Sequence, residues 1–187
     1  MAQGPAPTPD SAAPPAGDHA PSPWIVRWAP SIPPGRPVLD VAAGGGRHTA
    51  LLASRGHEVT AVDQTVAMLA DRFGAQPDRI RIVQADLENG CPWPLPGETF
   101  GGVVVTNYLH RPLFPALLAA LEPGGVLLYE TFMVGHERHG RPRRPEFLLH
   151  DGELLDVARA GGLSVIAYEA IHEPQPAVMQ RIAARRA

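Results

Sequence analysis

The chain has 187 residues, 44% of them hydrophobic and 19% charged, with a net charge of −3. This size and composition fit one globular domain with a full core, and the mild acidity gives no general attraction to nucleic acid or to an acidic membrane. A single cysteine, Cys91, excludes an internal disulfide framework, and because all 16 basic residues are arginine there is no Schiff-base or phosphate-loop lysine.

Residues 1–23 hold seven of the 22 prolines, mixed with small and polar residues. Such a segment buries too little surface to fold alone, so residues 1–21 are predicted to be disordered and 22–187 to form a single domain. No basic start followed by an apolar segment marks a secretory signal, and no apolar run reaches membrane-spanning length. The expectation is a cytoplasmic protein without membrane contact.

The stretch "SPWIVRWAP" predicts a short helix, with Ser22 as its cap, Pro23 in the first turn and Pro30 ending it. From residue 37 strand and helix patterns alternate. Strands are predicted at 37–42, 57–63, 79–86, 100–107, 124–132 and 163–170. Helices are predicted at 46–55, 65–75, 112–121 and 151–160. In the second of these, Val66, Met68, Leu69 and Phe73 form the apolar side. Residues 177–185 suit a last strand or a helix. The link "IHEPQPA" before them is long enough for an antiparallel return. Such alternation implies an α/β fold, a mostly parallel sheet with helices on both faces.

The first strand ends in "VLDVAAGGGRHTA", an acid at Asp40 followed by three glycines. Glycine is costly in backbone entropy, so a triplet here implies close approach to the backbone, unless it is simply a tight turn. In open α/β sheets ligands bind beyond the carboxyl ends of the strands, and a helix start offers free N–H groups. Dinucleotides and S-adenosylmethionine both use this arrangement, with an acid at the end of the second strand for the ribose. Asp63 stands there, 17 residues after Gly46. A dinucleotide loop wants a third glycine where Thr49 stands, so the spacing favours S-adenosylmethionine.

These stretches, with "VTAVDQT", "IVQADLE", "VVVTNYLHR" and "LEPGGVLLYETF", resemble a class I S-adenosylmethionine-dependent methyltransferase. The chain is similar to the small bacterial methyltransferases of the tellurite-resistance type. The resemblance implies a doubly wound, Rossmann-like, seven-stranded sheet of order 3-2-1-4-5-7-6 with the last strand antiparallel. It implies that Asp40, Gly44 and Gly46 shape the turn around the methionine part of the cofactor, with Ala42 and Arg47 in the same loop. Asp63 takes the ribose hydroxyls. Gln64 and Leu87 flank the adenine, and Asp86 accepts from its amino group. Asn107 and Tyr108 lie beside the sulfonium. Ala42 replaces a frequent glycine, and Gly101 stands where an acid often opens the fourth strand.

No nucleophile motif or metal-ligand spacing accompanies these residues, as a reaction on an already activated methyl group requires. His110 could serve as a general base for the acceptor, or could cap the next helix. Arg27 could cover the site. The loop "HERHGRPRRP" (136–145) could bind an anionic small-molecule acceptor, or could be solvated. No wide basic surface with stacking aromatics supports nucleic acid as partner. The reading is a methyltransferase acting on a small molecule, as monomer or homodimer. An RNA or protein methyltransferase and a non-catalytic cofactor-binding domain are the alternatives.

Overall fold

The computed structural model describes residues 20–75, 78–173 and 177–187. The predicted disorder of 1–21 falls almost wholly outside them. Seven strands form one sheet: β1 (Val38–Val41), β2 (Val59–Asp63), β3 (Ile80–Gln84), β4 (Phe100–Thr106), β5 (Leu121–Phe132), β6 (Leu163–Ile171) and β7 (Met179–Arg186). Their order is β3-β2-β1-β4-β5-β7-β6. The pairs from β3 to β5 are parallel, and β7 runs antiparallel to both its neighbours. The predicted sheet order is therefore the one found, and the tail is a strand.

Helices α1 (Pro23–Trp28), α2 (Arg47–Ser54) and α3 (Ala67–Phe73) cover one face, and α4 (Phe114–Ala119) and α5 (Glu153–Ala160) the other. Buried on both sides, the central strands can be continuous apolar runs rather than alternating ones. All four residues of β1 are buried, Asp40 among them. Helix α1 starts as its sequence predicts: the Ser22 hydroxyl accepts from the Trp24 amide at 3.1 Å, and Pro23 occupies the first turn.

Three expectations shift. Strand β5 begins at Leu121 rather than 124, because Leu121 already pairs with Phe100 ahead of a register irregularity. The helix predicted at 112–121 shortens to α4, and a 3₁₀ turn (Arg111–Leu113) precedes it. Met68, assigned to the apolar side of α3, is 53% exposed, and its sulfur faces the backbone of Gly45. At Gly101 there is no room for the expected acid. A Cβ there would lie 2.4 Å from the Arg36 Cβ, and Arg36 forms an ion pair with Glu122 across the site.

Gly46 is the joint between the glycine turn and α3. It has φ +73°, and a Cβ would stand 2.4 Å from Phe73 Cε2 and 2.7 Å from Leu69 Cδ2, both in the core. Gly46→Ala should therefore cost stability on two counts, left-handed backbone strain and overpacking, about 2–4 kcal/mol together. Denaturant unfolding of the purified variant measures this; a cost under about 1 kcal/mol would contradict the packing role.

Candidate functional site

The exits of β1, β2, β3, β4 and β5 lie along one edge of the sheet, and the order reverses between β1 and β4. This is where an open α/β sheet leaves a crevice. The glycine turn crosses it. The Ala43 amide donates to the Val62 carbonyl at 3.1 Å, and the Gly44 amide donates to Asp63 Oδ2 at 2.8 Å. The other carboxylate oxygen of Asp63 accepts from the Thr65 amide at 2.9 Å. Asp63 is thus fixed from both sides and half-exposed, and each of its oxygens can accept a further hydrogen bond.

Gly44 and Gly46, which the sequence treats alike, do different things. Gly46 faces α3. Gly44, at φ +54°, has nothing within 4 Å of where a Cβ would be. The open side of the turn is at Gly44. Ala42 also has a positive φ of 53°, so the residue replacing the frequent glycine holds a left-handed conformation.

Asp40 lies beneath the turn at 1% exposure. Burial pushes its carboxyl up to about 6, against the opposing pull of hydrogen bonds from Thr49. The Thr49 hydroxyl donates to Asp40 Oδ2 at 2.6 Å. The residue that spoils a dinucleotide fingerprint is therefore the partner of the loop's acid.

Gln64 and Asp86, assigned to the adenine end, bond to each other, Nε2 to Oδ2 at 3.1 Å. Asp86 Oδ1 accepts from the Glu88 amide at 2.9 Å. Leu87 packs half-buried with Trp93 and Leu113 against the core. An open cleft of about 350 Å³ runs past Asp86, Leu87, Trp93 and Leu113. Trp93 is a wall residue that the sequence did not single out, since it lies in a turn-rich segment.

At the exit of β4, Asn107 adopts φ 54°, a conformation asparagine tolerates better than most residues, and its amide donates to the Glu130 carbonyl at 2.9 Å. The Tyr108 hydroxyl is buried and directed at the Glu88 carboxylate, without a well-aligned hydrogen bond to it. Burial, then the charges of Glu88, Asp86 and Asp63, push its ionisation up, so it stays a neutral donor. A carboxylate with spare acceptor capacity beside an open backbone turn suits a polar ligand along this edge. The residues present fit a cofactor with a ribose and a cationic end.

Two expected residues form no hydrogen bond with this group. The His110 carbonyl accepts from the Leu113 amide, which makes the turn into α4, and its imidazole has no hydrogen bond among the described residues. Arg27 is exposed and lies over the Trp28 ring of its own helix, 5.2 Å from the centroid. Arg47 reaches the Ala20 carbonyl at 3.5 Å, toward the segment before α1.

His48 was invisible as a site residue, yet it joins three elements. Its Nε2 accepts from the Ser22 amide at 3.0 Å. The ring proton then sits on Nδ1, which faces the Thr106 hydroxyl at 3.2 Å. Burial, with a smaller effect from Arg47, pushes the imidazole down to about 3, so it is neutral. Nearby, buried Glu130 pairs with Arg181 at 3.2 Å. Only its 58-residue separation from Thr106 hid the His48 contact.

The arginine-rich loop after β5 is partly self-satisfied. Arg144 pairs with Glu146 and lies 5.4 Å from the Phe147 ring centroid, while Arg138 is 3.9 Å from Glu137. His136 stacks on Phe132 at 4.3 Å and bonds the Arg141 carbonyl at 3.0 Å. No helix of the described residues is long and apolar enough to cross a membrane.

Residues 38–125 match a family described as a methyltransferase domain. The trans-aconitate 2-methyltransferase of Delftia acidovorans is 33% identical over 146 residues, which cover 71% of this chain. The chain spans about half the length of that relative, 53%. Among solved structures, 1,6-didemethyltoxoflavin-N1-methyltransferase of Burkholderia thailandensis matches with a TM-score of 0.67 at 23% identity, covering 88% of this chain and 77% of that one. TehB from Haemophilus influenzae matches with a TM-score of 0.67 at 19% identity, covering 87% and 61%. At these identities the structures share the fold. Sheet order, glycine turn and family match agree on a methyltransferase domain over residues 38–125.

Proposed function

We propose that the chain, with residues 22–187 acting as one domain, is an enzyme that transfers a methyl group from S-adenosylmethionine to a small anionic acceptor. The observation that carries this reading is the Asp63 carboxylate, held by the Gly44 and Thr65 amides beside the open face of Gly44. The ribose hydroxyls would take its remaining acceptor sites, and the methionine part would pass over Gly44. Asp86, Gln64 and Leu87 would receive the adenine, and Asn107 and Tyr108 would stand beside the sulfonium.

The cofactor supplies an electrophilic methyl group when bound. The residues of this chain then have to hold an acceptor in line and keep water out. The acceptor side is the arginine-bearing loop after β5, where Arg143 has no hydrogen-bond or ion-pair partner among the described residues. The name of the Delftia relative points to a carboxylate-rich acceptor, and arginine forks match carboxylates.

Titration with S-adenosylhomocysteine tests the reading. The protein should bind it and should not bind NAD. Asp63→Ala should weaken binding by about 10- to 100-fold, from loss of charge-assisted hydrogen bonds of about 1.5–3 kcal/mol each. Unchanged affinity in a folded variant removes Asp63 from the site. Gly44→Ala meets no neighbour, so it should cost only about 1 kcal/mol of stability and yet lose most of the affinity. A variant that still binds as wild type does places the ligand elsewhere.

Asp40 adds a pH dependence. Its folded carboxyl, at about 6, lies above the unfolded value, so it favours the protonated form and its contribution to stability falls as pH rises from about 4 to 6. A cationic ligand favours the ionised form. Affinity for S-adenosylmethionine, whose sulfonium is cationic, should therefore be about fivefold weaker at pH 5 than at pH 7, with a smaller change for the uncharged thioether S-adenosylhomocysteine. Asp40→Asn should flatten that profile; calorimetry across the range checks both.

A further inference from the structure

Arg111 follows the functional turn of β4, where an arginine would ordinarily be assigned to an anionic ligand. Four of the five N–H donors of its guanidinium are instead engaged within the chain. Nε donates to Glu153 Oε1 at 2.7 Å and Nη2 to Glu153 Oε2 at 2.8 Å, a bidentate pair. Nη1 donates to the Glu146 carbonyl at 3.0 Å, and Nη2 also to the Leu148 carbonyl at 2.8 Å. Glu153 Oε2 accepts in addition from the His150 amide at 2.8 Å. One side chain thus joins the exit of β4, the start of α5 and the returning limb of the arginine-bearing loop.

The base of that loop is closed separately. The Leu149 amide donates to the Phe132 carbonyl at 3.0 Å, and the Val134 amide to the Leu149 carbonyl at 2.9 Å. Residues 134–148 therefore form a loop pinned at its neck by backbone and braced on its flank by Arg111. The brace reaches across from the same turn that carries Asn107 and Tyr108.

We propose that Arg111 is a positioning residue: through Glu153 and the carbonyls of Glu146 and Leu148 it sets the acceptor-side loop relative to the exit of β4. The inference rests on the methyltransferase reading above for the loop's role, but the brace itself does not. Lysine cannot replace it, because one ammonium cannot form the bidentate pair and reach two carbonyls together.

The test compares wild type, Arg111→Met, Arg111→Lys and Glu153→Gln as full-length protein. Three measurements are made: hydrogen exchange of amides 147–150, the dissociation constant for S-adenosylhomocysteine, and steady-state methylation of trans-aconitate as the probe acceptor. In Arg111→Met, exchange at 147–150 should accelerate about tenfold or more while cofactor affinity stays within about twofold. KM for trans-aconitate should rise about tenfold, with kcat changed less than about threefold. Glu153→Gln, which keeps the side chain's shape, should shift the same quantities in the same direction by less. Unchanged exchange, an unchanged KM, or restoration of wild-type behaviour by Arg111→Lys would overturn the proposal. If wild type binds S-adenosylhomocysteine but leaves trans-aconitate unmethylated, the acceptor reading fails. The exchange measurement then still decides for or against the brace.

Discussion

The hydrogen bond from the Gly44 amide to the Asp63 carboxylate is the constraint around which the edge of the sheet is organised. A glycine turn is conformationally free, and without an anchor it would sample many shapes at an entropic disadvantage for any ligand. Asp63 removes that freedom. It holds the turn after β1 against the end of β2, and its second oxygen fixes the start of the next connection through Thr65. A group ordered before a ligand arrives loses little more entropy on binding. The same carboxylate therefore shapes the crevice and presents acceptor capacity to it.

Beneath this turn lies a layer of buried polar groups, which an apolar core would replace if stability alone mattered. Asp40 is satisfied by Thr49, and neutral His48 by Ser22 and Thr106. Each bond crosses between elements, so the layer fixes α2 and the segment before α1 relative to the strands. Buried polar groups that are fully partnered specify one arrangement more sharply than apolar contacts do. Glu130 is less well satisfied: Arg181 lies 3.2 Å from its Oε2 as an ion pair without an aligned hydrogen bond. Burial accordingly raises the Glu130 carboxyl above its ordinary range, with Ser22, Arg181 and Arg47 opposing.

The sheet was legible because its signals are local and repeat. Apolar runs bounded by glycine and proline give the strands, and the acid after the second strand and the glycines after the first fall at spacings that backbone geometry sets. What escaped was decided by distance in the chain. The bond between Thr106 and His48, the brace from Arg111 to Glu153 and the ion pair of Arg36 with Glu122 each join residues more than 40 positions apart. Composition also misled. Met68 is apolar and correctly spaced for the buried side of α3, yet it lies out over Gly45, because the glycine turn leaves no side chain to fill that space. The reading of Gly44 and Gly46 as equivalent failed for a related reason, since only the position of α3 shows which of them has a neighbour.

The sheet order also separates charge across the crevice. Asp63, Asp86 and Glu88 stand at the exits of β2 and β3, while the arginines of the 136–145 loop follow β5. Between β2 and β5 lie three strand spacings, roughly 14 Å. That exceeds the screening length of about 8 Å at physiological ionic strength. The acids at one end of the edge are therefore largely screened from the arginines at the other, where Arg138 and Arg144 are already paired with Glu137 and Glu146. Added salt should then weaken the attraction of each end for its own counterion without a compensating change at the other.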